Sequence, residues 1–362
     1  RVSKRRPDVR TPFFQKEDES LKRCAGFFTC LLALSAALYG CSAPQDGHEA
    51  ERSLFAMHTY MTLTAYGEEA DAALEEAAAL IGQAESLWSV TDEESEIWQA
   101  NHSAGGTVTV SEETARLLSF ALSMAEKTGG ALDPTIYPVL AAWGFTTDQK
   151  QVPPQEQITA LLQNVGYGRI RLEGTSLTVP DGMQLDLGAV AKGYTADLVT
   201  ETLKARGVES AMISLGGNIQ ALGSRPDGTD WRIGVRAPWE DGVLGVLRLS
   251  DAAVVTSGGY ENYFEDENGR IYSHILDPST GYPADTDLLS ATIIGKEGKM
   301  CDALSTALFV MGAEGAEKYW RENGGFDMLL VTDQNEIILT QGVAERFILA
   351  EGREETVRVI AP

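Results

Sequence analysis

Four cysteines, four histidines and a shortage of positive charge set the first limits on this 362-residue chain. Cys24, Cys30 and Cys41 fall near the start, which leaves Cys301 alone in the body of the sequence. One thiol cannot close an internal disulfide, so the body must be held together by its core. There is no CxxC pair and no Cys/His cluster, which excludes zinc and iron–sulfur sites. Lys and Arg number 29 against 53 Asp and Glu, a formal net charge of -24. A nucleic-acid backbone needs clustered cations, so that partner class is excluded too. No apolar run reaches the ~20 residues of a comfortable bilayer span. What is present is ordinary for a soluble globular protein: 43% hydrophobic and 23% charged residues, on a chain long enough for one large core.

The positive charge that does exist is concentrated at the start. Residues 1–23 hold eight Lys/Arg against four acids, and residues 24–40, "CAGFFTCLLALSAALYG", hold no charge. A basic segment, a short apolar stretch and a small residue before Cys41 read as a secretory signal, 1–41, with a short membrane anchor as the alternative. "LYGC" at 38–41 resembles a bacterial lipobox, which implies a lipid anchor on Cys41 and an exported protein. Residues 42–53, "SAPQDGHEAERS", read as a polar tether, and 54–362 as a single domain without repeats or low-complexity blocks.

Along that domain the periodicity predicts a strand over 54–66, an Ala-rich helix over 68–87 and a loop at Trp88. A helix over 112–127 follows the cap residue Ser111, and a turn and short helix occupy 133–150. Next come a helix at 154–163, a hairpin at 169–187, a helix at about 190–206 and a strand from Ser210. Strands and turns fill the chain to 291. Helices at 302–311 and 314–323 precede a last hairpin, "DMLLVTDQNEIILTQG". Helices and strands mix without βαβ alternation, which predicts an α+β fold.

Several stretches carry chemistry-bearing residues. "DLGAVAKGYTADLV" at 186–199 has the glycine spacing of a phosphate-binding loop, but its lysine precedes the second glycine, so that motif is absent. The small residues at this helix start admit an anion, while Asp186 at the strand end suits a ring N–H or hydroxyl; the plain reading is that Asp186 and Lys192 form an ordinary local ion pair. In "CDALSTALFVMG" at 301–312, Asp302 and Thr306 are i and i+4 on one helix face. That pair suits a hard cation such as Mg²⁺; the plain reading is an acidic first-turn residue. His274, in "YSHILDPSTGYPA", fits a general base or a hydrogen-bonded strand residue. "TSGGYENYF" at 256–264, "SLGGNI" at 214–219 and "GALDPTIYP" at 130–138 place glycines or an Asp-Pro turn beside aromatics and strand ends.

Taken in this order, with "MHT" at 57–59 and "WGF" at 143–145, the stretches resemble the ApbE family of flavin transferases over roughly residues 54–345. The resemblance implies an α+β, T-fold-like domain that moves FMN from FAD onto a Thr or Ser hydroxyl of a partner flavoprotein and releases AMP. FAD would be touched by Met57, Ala131, Leu132, Asp133, Asp186, Lys192 and His274. Mg²⁺ would be held by the carbonyl of Ala189, the carboxylate of Asp302 and the hydroxyl of Thr306, with Ser305 nearby. Asp302 and His274 are the expected catalytic residues, His274 taking the acceptor proton. His58 stands where a small residue is expected. The alternatives are hydrolysis of FAD to FMN and AMP, and FAD binding without catalysis.

Overall fold

A computed structural model of the chain describes residues 48–147 and 149–362. The signal segment, Cys41 and tether residues 42–47 lie outside the described residues. The described chain opens with strands β1 (Glu49–Ala56) and β2 (Thr59–Tyr66), then helices α1 (Ala70–Trp88) and α2 (Glu96–Asn101). Strand β3 (Thr107–Thr109) leads into α3 (Glu112–Lys127), α4 (Tyr137–Ala142) and α5 (Gln155–Leu162). The hairpin β4 (Arg171–Glu173) and β5 (Ser176–Thr178) precedes α6 (Gly188–Ala205). Strands β6 (Ser210–Leu215), β7 (Asn218–Leu222), β8 (Trp231–Arg236), β9 (Val243–Leu249) and β10 (Ala252–Gly258) follow. After β11 (Tyr263–Glu265), β12 (Ile271–Ser273) and β13 (Leu288–Gly295) comes α7 (Gly298–Asn323). The chain closes with β14 (Asp327–Thr332), β15 (Glu336–Thr340), α8 (Gln341–Ala344), β16 (Phe347–Leu349) and β17 (Thr356–Ile360).

The frame is a nine-stranded sheet in the order β1-β2-β6-β7-β10-β13-β14-β15-β17, antiparallel except for the β15–β17 pair. This is the α+β fold expected. Helix α1 turns Ala70, Ala73, Leu74, Ala77 and Ile81 inward at helical spacing, against Met61, Leu63, Ile213 and Leu215 of the sheet. Helices α6 and α7 join it on that face, where Val190, Ala191, Leu304, Ala307 and Leu308 pack on Ala253, Val255, Ala291 and Ile293. The small sheet β16-β9-β8 covers the other face through Trp231, Ile233 and Leu247. A separate cluster around fully buried Trp143, whose Nε1 donates to the Gly281 carbonyl at 2.8 Å, unites α4 and α5 with Tyr272 and Leu276.

Five local expectations are corrected. The strand over 54–66 is two strands joined at Met57 and His58, both left-handed (φ 49° and 59°). With no Gly or Asn marking that turn, the apolar pattern ran on through it. Glu49–Ser53, counted in the tether, belong to β1; only Ala50 among them is buried, so they read as polar linker. Trp88 ends α1 rather than starting a loop, its Nε1 held by Thr114 Oγ1 at 3.0 Å. The hairpin expected over 169–187 is confined to 171–178, because Pro180 and the Asp181–Gly182 turn stop its second arm. Helix α7 starts at Gly298, four residues before the expected Asp302, and is broken by a kink at the non-helical Gly312 (φ 73°, ψ 177°). The two helices expected there are its two halves, and Asp287 Oδ1 caps the second by accepting the N–H of Ala313 at 2.9 Å. The Ser111 cap is found as expected, its Oγ accepting from the N–H of Thr114.

Candidate active site

Two helices meet closely enough at one point to bring a buried carboxylate to the start of α6. A Cβ added to Gly193 would sit 2.2 Å from the Gly298 carbonyl oxygen and 2.6 Å from the Asp302 Cβ, and one on Gly298 would sit 2.6 Å from the Gly193 oxygen. Only glycines permit this crossing. Asp197 of α6 secures it by accepting the N–H groups of Gly298 (2.6 Å) and Lys299 (3.1 Å); burial pushes its carboxyl up to about 6. Asp302, 4% exposed, then accepts the N–H of Gly193 through Oδ2 at 2.8 Å. In a regular helix that N–H serves the carbonyl of Ala189. A carbonyl oxygen has two lone pairs, so Ala189 retains acceptor capacity even where that N–H is shared with Asp302, and Asp302 keeps its second oxygen. Thr306 lies one turn further on, its Oγ1 3.3 Å from Ser257 Oγ, which also touches Ser305 Oγ at 2.9 Å. Carboxylate, carbonyl and hydroxyls form the hard-oxygen donor set that Mg²⁺ accepts. Among the described residues no group of three or more His, Cys, Asp or Glu is placed to hold a metal ion.

At the N-terminus of α6, Asp186 accepts the Gly188 N–H through Oδ1 at 2.5 Å, while the Lys192 ammonium donates to the Gly188 carbonyl at 3.4 Å. Each thus has a backbone partner, and no ion pair joins the two among the described residues. Burial raises the Asp186 carboxyl, with the Gly188 N–H and Lys192 pulling it back. The Tyr137 phenol is raised by burial and then by the Asp186 charge. A carboxylate facing a phenol and a half-buried lysine can receive a polar ring edge on one side and an anion on the other.

His274 follows β12 and is half-buried. Its N–H donates to the carbonyl of Asn262 at 2.9 Å and its Nδ1 lies 3.1 Å from the same oxygen. A carbonyl can only accept, so Nδ1 carries the proton and Nε2 presents a bare lone pair. Burial, then the charges of Lys192 and Lys150, push the ring down to about 4, which keeps it a neutral acceptor at neutral pH. Asn262 is itself pinned, its Oδ1 accepting from Lys150 Nζ at 2.5 Å.

The remaining expected residues divide. Met57, in the left-handed turn, donates its N–H to Glu85 Oε1 at 2.7 Å; His58 beside it is exposed. Leu132 is buried and Ala131 half-buried. The Asp133 carboxylate accepts from Thr135 N–H and hydroxyl (2.8 and 2.6 Å) within its turn and from the distant Tyr167 N–H (3.1 Å). Sequence reasoning missed Ser257 and Asn262. Both lie in the quoted "TSGGYENYF" stretch, but nothing in its spacing singles out a serine that meets a helix 48 residues on, or a main-chain carbonyl.

Comparison with known proteins places this arrangement. The ApbE family model matches residues 57–330. The FAD:protein FMN transferase of Treponema pallidum is 33% identical over 351 residues, covering 91% of this chain and 96% of the relative. The crystal structure of the ApbE protein of Thermotoga maritima superposes with a TM-score of 0.78 at 33% identity, covering 83% of this chain and 99% of its own. The apo flavinyl transferase ApbE of Pseudomonas stutzeri gives 0.72 at 31% identity, covering 79% and 92%.

Proposed function

The chain belongs to the ApbE family, and from that premise we propose that it is an FAD:protein FMN transferase acting on a Thr or Ser hydroxyl of a partner flavoprotein. The observation that carries the reading is the convergence of Asp302, Thr306 and Ser257 at the α6–α7 crossing, within a chain similar throughout to such enzymes. The acceptor oxygen bonds to the FMN phosphorus as that phosphorus loses its bridging oxygen to AMP. The hydroxyl proton passes to His274 Nε2, the nitrogen left bare by the Asn262 carbonyl. Lys192 offsets phosphate charge, and Asp186 orients the flavin through hydrogen bonds. Asp302, Thr306 and the Ala189 carbonyl would hold Mg²⁺, which supplies charge neutralisation on the diphosphate. The basic and apolar run before Cys41 supports an exported, lipid-tethered protein; Cys41→Ser should release it from the membrane fraction.

The test incubates the protein with FAD, Mg²⁺ and a candidate acceptor. Fluorescent flavin that stays on the acceptor through denaturing gel electrophoresis, with AMP released one for one and lost on chelation, is the expected result. FMN and AMP without labelled acceptor would replace transfer by hydrolysis, and FAD binding without AMP would remove both.

A further inference from the structure

Asn218 opens β7 directly after the Gly216–Gly217 turn, is 5% exposed, and its Nδ2 has no hydrogen-bond partner. A buried amide donor left unpaired is costly, so its position relative to the site matters.

The sheet register gives that position. Val254 pairs with Ile219 and Ala253 with Gln220, which puts Asn218 level with Val255. Alternate strand residues share a face, so Gln220, Asn218, Ala253, Val255 and Ser257 all point the same way. That face meets α7: Gln220 Oε1 is 3.2 Å from where a Gly298 Cβ would stand, and Ser257 Oγ is 3.3 Å from Thr306 Oγ1. Two strand residues advance about 6.6 Å and four helical residues about 6 Å. Asn218, two residues from Gln220 and level with the residue two before Ser257, therefore lies opposite Asp302, four residues from Gly298 and four from Thr306. From the far side Asp302 is already held by the Gly193 N–H.

We infer that Asn218 is a substrate-binding residue whose Nδ2 donates to a diphosphate oxygen of FAD, an inference that rests on the reading of the site as an FAD site. A diphosphate oxygen beside that oxygen set would complete the donor, for which no protein acceptor lies within hydrogen-bond distance. Charge-assisted hydrogen bonds of this kind are strong and directional. The plain competitor is one buried water joining Asn218 Nδ2 to Gln220 Oε1, which is also unpaired.

Binding of FAD, ADP and riboflavin to the unsubstituted protein, Asn218→Ala and Asn218→Asp, measured by calorimetry in Mg²⁺ buffer alongside thermal melts, separates these. The expected result is a Kd for FAD and ADP raised roughly ten- to hundredfold in N218A and further in N218D, with riboflavin, which lacks phosphate, binding as before. Equal losses for all three ligands, or a lowered melting temperature with unchanged FAD affinity, would overturn the inference in favour of packing or the bridging water. No FAD binding by the unsubstituted protein would instead remove the functional reading beneath it.

Discussion

Replacing Gly193 by alanine tests whether the α6–α7 crossing builds the site. The added methyl would stand 2.2 Å from the Gly298 oxygen and 2.6 Å from the Asp302 Cβ. Ordinary carbon contacts are about 3.5–4.0 Å, so the helices must part by roughly 1 Å. Overpacking of this kind costs about 1–3 kcal/mol. Stretching the bond from Gly193 N–H to the Asp302 carboxylate adds about 1.5–3 kcal/mol. Alanine recovers about 1 kcal/mol of helix propensity, leaving a net loss of about 1.5–5 kcal/mol. At about 2–4 °C per kcal/mol, the melting temperature should fall by roughly 3–20 °C. AMP release should fall further than stability alone explains, because Asp302 is displaced. Gly82 is the control: it is exposed within α1 and its Cβ would meet nothing within 4 Å. Gly82→Ala should therefore stabilise by about 0.5–1 kcal/mol. Melts followed by near-ultraviolet circular dichroism decide it. If G193A melts with the parent protein and keeps its AMP release, the crossing does not set Asp302 and the site argument fails.

Asp302→Ala should cut AMP release by at least about 10³-fold, because it removes the one carboxylate in the oxygen set; near-normal turnover would disprove the metal assignment. His274, held near 4 in the folded chain against about 6.5 unfolded, binds fewer protons folded between those values. It therefore lowers stability as pH falls from about 6.5 toward 4 and has no such effect above that window. Asp197, raised to about 6, acts in the opposite direction, so the contribution is read as a difference between variants. His274→Gln should narrow the gap in urea stability between pH 7 and pH 5, and an unchanged gap would refute the His274 assignment. Trp143→Ala, which empties the centre of the Tyr272–Leu276 cluster, should cost about 3–5 kcal/mol in urea melts; a loss below 1 kcal/mol would show that this cluster does not anchor the segment bearing His274.

Much of the fold was legible because it is local. The inward stripe of α1, the Ser111 cap and the glycine that divides α7 are each written in neighbouring residues. The turn at Met57–His58 was not, because neither residue is the Gly or Asn that commonly signals a left-handed turn, and it is seen only in the pairing of β1 with β2. The ordered run from "MHT" to "CDALSTAL" was enough to indicate the family, and flavin chemistry followed from that resemblance, whereas composition only narrowed the partner classes. Tertiary structure alone decided which polar atoms are free. Spacing left Asp186 and Lys192 as a plausible ion pair, yet each takes a backbone partner instead. The Asp133 carboxylate accepts from Thr135 in its own turn and from the Tyr167 N–H, 34 residues on. Ser257, the Asn262 carbonyl and the unpaired Asn218 amide gain their meaning from atoms far along the chain. Residue types and local periodicity determine what each segment can form, whereas the hydrogen-bond capacity left over depends on which segments the sheet register and the glycine crossing bring together.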